Sequence, residues 1–236
     1  MFRKTINNTN PALIAPSSIV YHLIKHDLKL AFKKGSGVGN MLSFYFIVSI
    51  LFVFGIGSNP KDTMLIAPAV IWVCALLVQS ISVSRIFADD YDDGTLEQLI
   101  LQGELPEKII MARIISNWLT GGFLIILFSP CLAVFFGLDW ATIKKLVISL
   151  ICGTPLLSII SVSVAALTLG IRRAGVIFGI IAFPLYIPVL IFGASWVSAP
   201  ESFFANMGLL LAMCLFMLPL GVAASVAALK TAFDEG

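Results

Sequence analysis

Long apolar stretches alternate with short polar links along most of the chain. Six of them, at residues 40–57, 65–84, 114–138, 146–170, 174–197 and 205–229, contain no Asp, Glu, Lys, Arg or His. A helix crosses the hydrocarbon of a bilayer with about 20 apolar residues, so each stretch is long enough to span, with tilt where it is longer. The pattern predicts an all-α polytopic membrane protein with a six-span domain at 40–229. An N-terminal extension at 1–18 precedes it and a tail at 230–236 follows.

Residues 19–34 read differently. Ile19, Leu23, Leu30 and Phe32 are mixed there with His22, Lys25, His26, Asp27, Lys29, Lys33 and Lys34. Apolar and basic positions interleaved in this way predict an amphipathic helix lying in the membrane interface. His22 and His26, the only histidines, stand one turn apart, a spacing open to a metal or heme iron. No Cys or further His stands near enough in sequence to complete a site, which favours contact with solvent or lipid headgroups.

The spans carry helix breakers: Pro68, Gly121, Gly122, Pro130, Gly153, Pro155, Pro184, Pro188, Pro219 and Gly221. Each proline removes a backbone donor, so kinks are expected, with a movable or re-entrant segment around Pro184 and Pro188. In the fourth span Thr154, Ser158, Ser161, Ala165 and Thr168 fall at steps of four and three and form one helical stripe. Small and hydroxylated residues at that spacing form a packing stripe or line a cavity. A pair of chains meeting across this stripe is one expectation. Gly175 and Gly179 form a second small-residue spacing in the fifth span.

Composition agrees with the spans. The chain of 236 residues is 59% hydrophobic and 12% charged, with mean hydropathy +1.01, whereas soluble domains average about 25% charged residues. A net charge of +2 leaves no basic excess for nucleic acid. Lys and Arg are nevertheless distributed unevenly. Twelve fall in the N-terminal arm, the second and fourth links and the tail, against three, Lys61, Lys144 and Lys145, in the other links. The positive-inside rule therefore puts both termini in the cytoplasm.

Candidate chemistry is sparse. Cys74, Cys131, Cys152 and Cys214 each lie in an apolar run without metal-ligand spacing. No buried carboxylate, His or Lys interrupts a predicted span, which argues against a carrier driven by an ion gradient. No nucleophile-and-base arrangement or HExxH motif points to a hydrolase. The Gly-rich piece at 35–39 has no following Lys and precedes a span, so it is not a P-loop. The chain is expected to be no enzyme, to hold no metal and to bind no cofactor directly. Trp72, Trp118, Trp140 and Trp196 are scattered rather than clustered. Energy, if used, must enter from another subunit.

The link between the second and third spans is the informative one. Seven of the thirteen acidic residues lie between positions 85 and 113, which marks this link off from the rest. As a calcium loop it offers Asp89, Tyr91, Asp93 and Gly94 but ends on Ile100 where a Glu is required, so that reading fails. As a helix start it works: Thr95 can cap, Gln98 completes a capping box, and a short helix follows over about 94–102 before Gly103 and Pro106. Its apolar face of Leu96, Leu99 and Ile100 beside an acidic shoulder suits docking into a groove on a soluble partner.

Five segments in this order carry a resemblance. They are the run Asp-Gly-Thr-Leu-Glu-Gln-Leu at 93–99, the stretch 66–77 around Trp72, Gly153-Thr-Pro155, the stretch 166–173 ending in Arg172 and Arg173, and 184–193 from Pro184 to Gly193. Together they resemble the type-2 ATP-binding-cassette (ABC-2) permeases and, within them, the CcmB family, the heme exporter B subunits of bacterial cytochrome c maturation. The likeness covers residues 26–232.

The resemblance implies a type V exporter-like architecture in the bacterial inner membrane and a coupling helix formed by Asp93, Gly94, Thr95, Leu96, Glu97, Gln98, Leu99 and Ile100. It implies partners as well: a pair of cytoplasmic CcmA-like ATPases, where ATP and magnesium bind, a CcmC-like heme-handling membrane protein, a CcmD-like single-span protein and a CcmE-like periplasmic heme chaperone. Two copies of this chain are expected, because six spans make half of a usual transporter. The implied role is to couple ATP hydrolysis to heme delivery or to release of the heme-loaded chaperone. The alternatives are a non-transporting scaffold of the maturation complex, or an ABC-2 permease for an unrelated lipid or drug.

Overall fold

The computed structural model describes residues 16–33, 37–56, 60–82, 86–87, 90–91, 94–101, 105–169, 171, 174–198 and 203–234. The extension at 1–15, Asp93, Arg85, Arg172, Arg173 and the last two residues lie outside the described set. Within it the chain is helical: α1 (Pro16–Lys33), α2 (Gly37–Ile56), α3 (Pro60–Ser82), α4 (Thr95–Leu101), α5 (Pro106–Asn117), α6 (Phe123–Phe135), α7 (Trp140–Leu167), α8 (Ala174–Ser198) and α9 (Phe203–Asp234). A π-helical turn, Trp118–Gly122, joins α5 to α6 without a break.

Six helical stretches are long and apolar enough to cross a membrane. They are α2, α3, the continuous α5–π–α6 rod, α7, α8 and α9, so the six spans read from the hydrophobic pattern are present. Their ends differ from the expectation. The third begins at Pro106 rather than 114 and runs for 30 residues, about 45 Å at 1.5 Å per residue, well beyond the ~30 Å of hydrocarbon. Glu107, Lys108 and Arg113 therefore belong to the same rod as the apolar span. The fourth begins at Trp140, so Lys144 and Lys145 are in its first turns rather than in a link. The Lys144 ammonium lies 5.8 Å from the Trp140 ring centroid, an aromatic–cation pair of the kind found at membrane interfaces.

α7 is the axis of the bundle, and its residues are the most enclosed of any span. α8, α9, α6 and α3 pack against it. Its start is capped by Asp139, whose carboxylate accepts from the backbone N–H of Ala141 (3.0 Å) and of Thr142 (3.3 Å) and from the Thr142 hydroxyl. These bonds satisfy donors that have no partner inside the helix. They hold the Asp139 carboxyl below its usual range, the Thr142 hydroxyl most of all.

The prolines are inside helices that continue past them. α8 runs unbroken through Pro184 and Pro188, so the expected re-entrant segment is absent. Pro68, Pro130, Pro155 and Pro219 are likewise inside continuous helices. The only change of helix type among the described span residues is the π turn, which ends on Gly121 and Gly122.

A notch for Trp72 organises the middle of the bundle. The indole of Trp72, on α3, is fully buried. It lies against Gly153 of α7 and Gly193 of α8, where a methyl group on either glycine would run into the ring. Only glycine permits so close an approach of helix backbone to a large ring.

Candidate functional site

At the end of the bundle that carries α1 and the start of α5, charged side chains from three segments meet. α5 begins with Pro106 after the extended Leu105, and proline suits a first helical position because the N–H it lacks would have no partner there. Ile109, Ile110, Ala112 and Ile114 are buried in the core on this helix, and Arg113 is buried with them, reaching Asp27 of α1.

Arg113 is 8% exposed, and its guanidinium is divided between two carboxylates from distant parts of the chain. One terminal nitrogen donates to Asp27 Oδ1 of α1 at 2.7 Å. The other is in ion-pair contact with Asp90 Oδ2 in the link before α4. The Phe87 ring covers the group, its centroid 6.0 Å from the guanidinium carbon. Arg113 Nε is buried and makes no hydrogen bond among the described residues. His26 Nδ1 stands 3.9 Å from the same Asp27 oxygen.

The link itself is a series of backbone bonds. Tyr91 N–H donates to Phe87 O (2.9 Å), Gly94 N–H to Tyr91 O (3.3 Å) and Gln98 N–H to Gly94 O (3.1 Å). Because the Gly94 carbonyl accepts that last bond, Gly94 holds the cap position and Thr95 is the first residue of α4. This corrects the expected capping box, which put Thr95 at the cap. Gly94 has φ +72°, a left-handed conformation that costs other residues about 1–2 kcal/mol.

A short helix stands where the coupling segment was read, Thr95–Leu101 against an expected 94–102. Two of the three residues of its expected apolar face, Leu96 and Leu99, point into the chain rather than outward. Leu96 (0% exposed) and Leu99 (8%) are already in this chain's own core, so they are not free to enter a partner's groove. The exposed side is marked by Gln98. Asp93 and the side chains of Glu97 and Ile100 lie outside the described set. Apolar residues after Gly94 signalled burial correctly; nothing in the sequence said which protein would bury them.

The stripe of the fourth span is internal too. Thr154, Ser158, Ser161, Ala165 and Thr168 are all buried. Trp118 Nε1 of the π turn donates to Thr154 Oγ1 (3.0 Å) and Gln79 Nε2 of α3 to Ser158 Oγ (3.0 Å). Ser161 Oγ pairs with the Tyr186 hydroxyl of α8 at 2.6 Å, and Thr168 Oγ1 donates to Val164 O at 2.9 Å. With three neighbouring elements bonded to it, the stripe packs within this chain.

Higher up, Trp72 Nε1 donates to Ser149 Oγ (3.1 Å), which donates to Gly193 O (2.6 Å). A ladder of polar bonds thus runs along α7 from Ser149 to Ser161. Sequence periodicity found Thr154, Ser158 and Ser161 of this ladder and missed Ser149. Arg113, Asp27 and Asp90 were not singled out, although an Arg at the foot of an apolar run beside an Asp-rich link was a visible signal.

The chain is 37% identical over 220 residues to "Heme exporter protein B" of Haemophilus influenzae, covering 92% of this chain and all of that one. It is 32% identical over 216 residues to the protein of that name from Pseudomonas aeruginosa, covering 89% and 97% of the two chains. With the Escherichia coli K12 protein of that name it shares 33% over 212 residues, covering 87% and 96%. A model of the family described as "CcmB protein" matches residues 18–232, nearly the whole described bundle and α1 with it, and the chain belongs to the CcmB family of membrane permeases.

Proposed function

We propose that this chain is the non-catalytic membrane subunit of an ABC-2 type transporter complex of cytochrome c maturation. It couples ATP hydrolysis in a cytoplasmic pair of CcmA-like ATPases to delivery of heme, or to release of a heme-loaded CcmE-like chaperone on the far side of the membrane. CcmC-like and CcmD-like membrane proteins complete the assembly, and two copies of this chain serve the two ATPases. The name shared by its relatives supports the heme cargo. ATP and magnesium belong to the ATPase, whose phosphate chemistry needs residues this chain does not offer.

The observation that carries the coupling role is the seating of α4. Leu96 and Leu99 fix it to the core while Gln98 faces outward. The link before it reaches Arg113 and, through Asp27, α1. A short helix held this way passes a displacement on its outer side into the bundle instead of flexing freely. The excess of Lys and Arg at this end supports placing it, with both termini, in the cytoplasm of an inner-membrane protein.

The test is co-expression with the ATPase partner and reconstitution in membrane, followed by measurement of association and ATP turnover with and without Glu97→Lys and Leu99→Asp. Association with turnover that depends on α4 supports the permease. Association with turnover unchanged by either substitution would make the chain a scaffold. Failure to restore cytochromes c in a strain lacking heme delivery would leave a permease for another cargo.

A further inference from the structure

Arg113 lies where α1, the link and the third span meet, and its surroundings give it a task of its own. The Asp27 contact joins residues 86 positions apart. A guanidinium is a rigid planar fork, so two carboxylates on separate nitrogens are fixed in relation to each other as well as to the arginine. Phe87 shields the group and water is largely excluded, conditions under which such bonds strengthen. From Phe87 the backbone bonds run through Tyr91 and Gly94 to Gln98 on α4.

We infer that Arg113 is a positioning residue that locks α1 and α4 into a single lever at the foot of the third span. The inference rests on the coupling role proposed above and adds to it: a push on α4 reaches α1 through this side chain and does not need the chain ends. The lever has a natural upper limit at the π turn, Trp118–Gly122, immediately above α5, where the helical hydrogen-bond pattern changes; π turns inside α-helices are frequent at functional sites. Below that turn α5, α1 and α4 move together. The turn itself is tied to the α7 ladder through the Trp118–Thr154 bond.

The test uses the complex with its ATPase, reconstituted in membrane, on a background lacking the four native cysteines. Spin labels at Lys29→Cys and Gln98→Cys, both exposed positions, report the distance between α1 and α4 with and without nucleotide. One narrow distance that nucleotide leaves unchanged is expected for the intact cluster. Arg113→Met should broaden or split it and lower α4-dependent turnover by about fivefold or more, the low end of measured coupling factors. The neutral triple variant Arg113→Met with Asp27→Asn and Asp90→Asn leaves no unpaired charge to unfold the chain, and it too should split the distance. Arg113→Lys, a point charge without the fork, should restore the lock only in part.

A folded triple variant that keeps the narrow distance and full coupling overturns the inference. If Leu99→Asp also leaves turnover unaltered, it is the coupling role that fails. If Leu99→Asp uncouples and the triple variant does not, the lock alone is wrong.

Discussion

The indole nitrogen of Trp72 on the second span donates to the hydroxyl of Ser149 on the fourth, 3.1 Å away, and that hydroxyl donates in turn to the Gly193 carbonyl of the fifth. Three spans are thereby joined at one side chain. The ring fits only because Gly153 and Gly193 present no Cβ to it.

Gly153→Ala and Gly193→Ala should therefore destabilise by overpacking, about 1–3 kcal/mol each. Trp72→Phe should lose its hydrogen bond and part of its packing together. Thermal unfolding in detergent, followed by size-exclusion of the fluorescently tagged chain, would show lower midpoints for all three. An unchanged midpoint for both alanine variants would mean that the notch is not tight.

Tyr186→Phe should be milder. It removes the 2.6 Å bond to Ser161, but Ser161 keeps its 2.7 Å bond to the Leu157 carbonyl. No buried polar atom is stranded, and the loss should stay near the ~1 kcal/mol of an ordinary net hydrogen bond. The same unfolding assay decides it.

Because Ser158 is fully buried against Gln79, Ser158→Cys should give no disulfide between two copies under oxidising conditions. A cross-linked dimer through that position would show that α7 is exposed in the assembled protein and would restore the stripe as an interface.

Gly94→Val should disturb coupling without disturbing insertion. A β-branched residue is poorly accommodated at φ +72°, so the cap of α4 must rearrange. ATP turnover in the reconstituted complex should lose its dependence on this chain while the variant still reaches the membrane. Normal turnover would mean that the turn tolerates another geometry.

The cap at Asp139 predicts a pH dependence of defined sign. Its carboxyl is held below the usual range in the folded chain, so the folded form binds fewer protons than the unfolded one. The contribution is fully present above the ordinary Asp value, about 3.9, and fades as acid takes the pH through the lowered folded value. Wild type should be more stable than Asp139→Ala at neutral pH, and the difference should shrink in acid. A difference that grows with acidity would reverse the sign and rule out the cap as its source.

Much of the membrane part was legible because lipid leaves helices little choice: an uncharged run near 20 residues has few other destinations. The boundaries were less so. Charged residues at 107, 108, 113, 144 and 145 looked like ends of spans, yet they belong to the same rods, since a helix continues past the hydrocarbon when its backbone is satisfied. Of the two readings of Pro184 and Pro188, a re-entrant stretch or a proline-bearing helix, the structure has the helix. The Arg113 cluster was the hardest to read. Pairing between Asp27 and Arg113 leaves no periodicity, and the Asp-rich link offers several carboxylates of which the fold selects Asp90. Three of the segments that carried the family resemblance meet physically, around Trp72, Gly153 and Gly193.

The π turn at Trp118–Gly122 sets an angle as well as a place to bend. A wider turn takes in one residue more than an α-turn would, and one residue is worth about 100° of rotation around a helix axis. The azimuth of Arg113 relative to Ile125 and Ser129 on α6 is therefore wound into the chain at this point. Closing the turn into ordinary α-helix with every residue kept would swing Arg113 by roughly that angle away from Asp27. Every partner would be present and none of them facing. Aim along this span is stored in the width of one turn, so a change in that turn would disconnect the two ends of the molecule more thoroughly than most changes in chemistry.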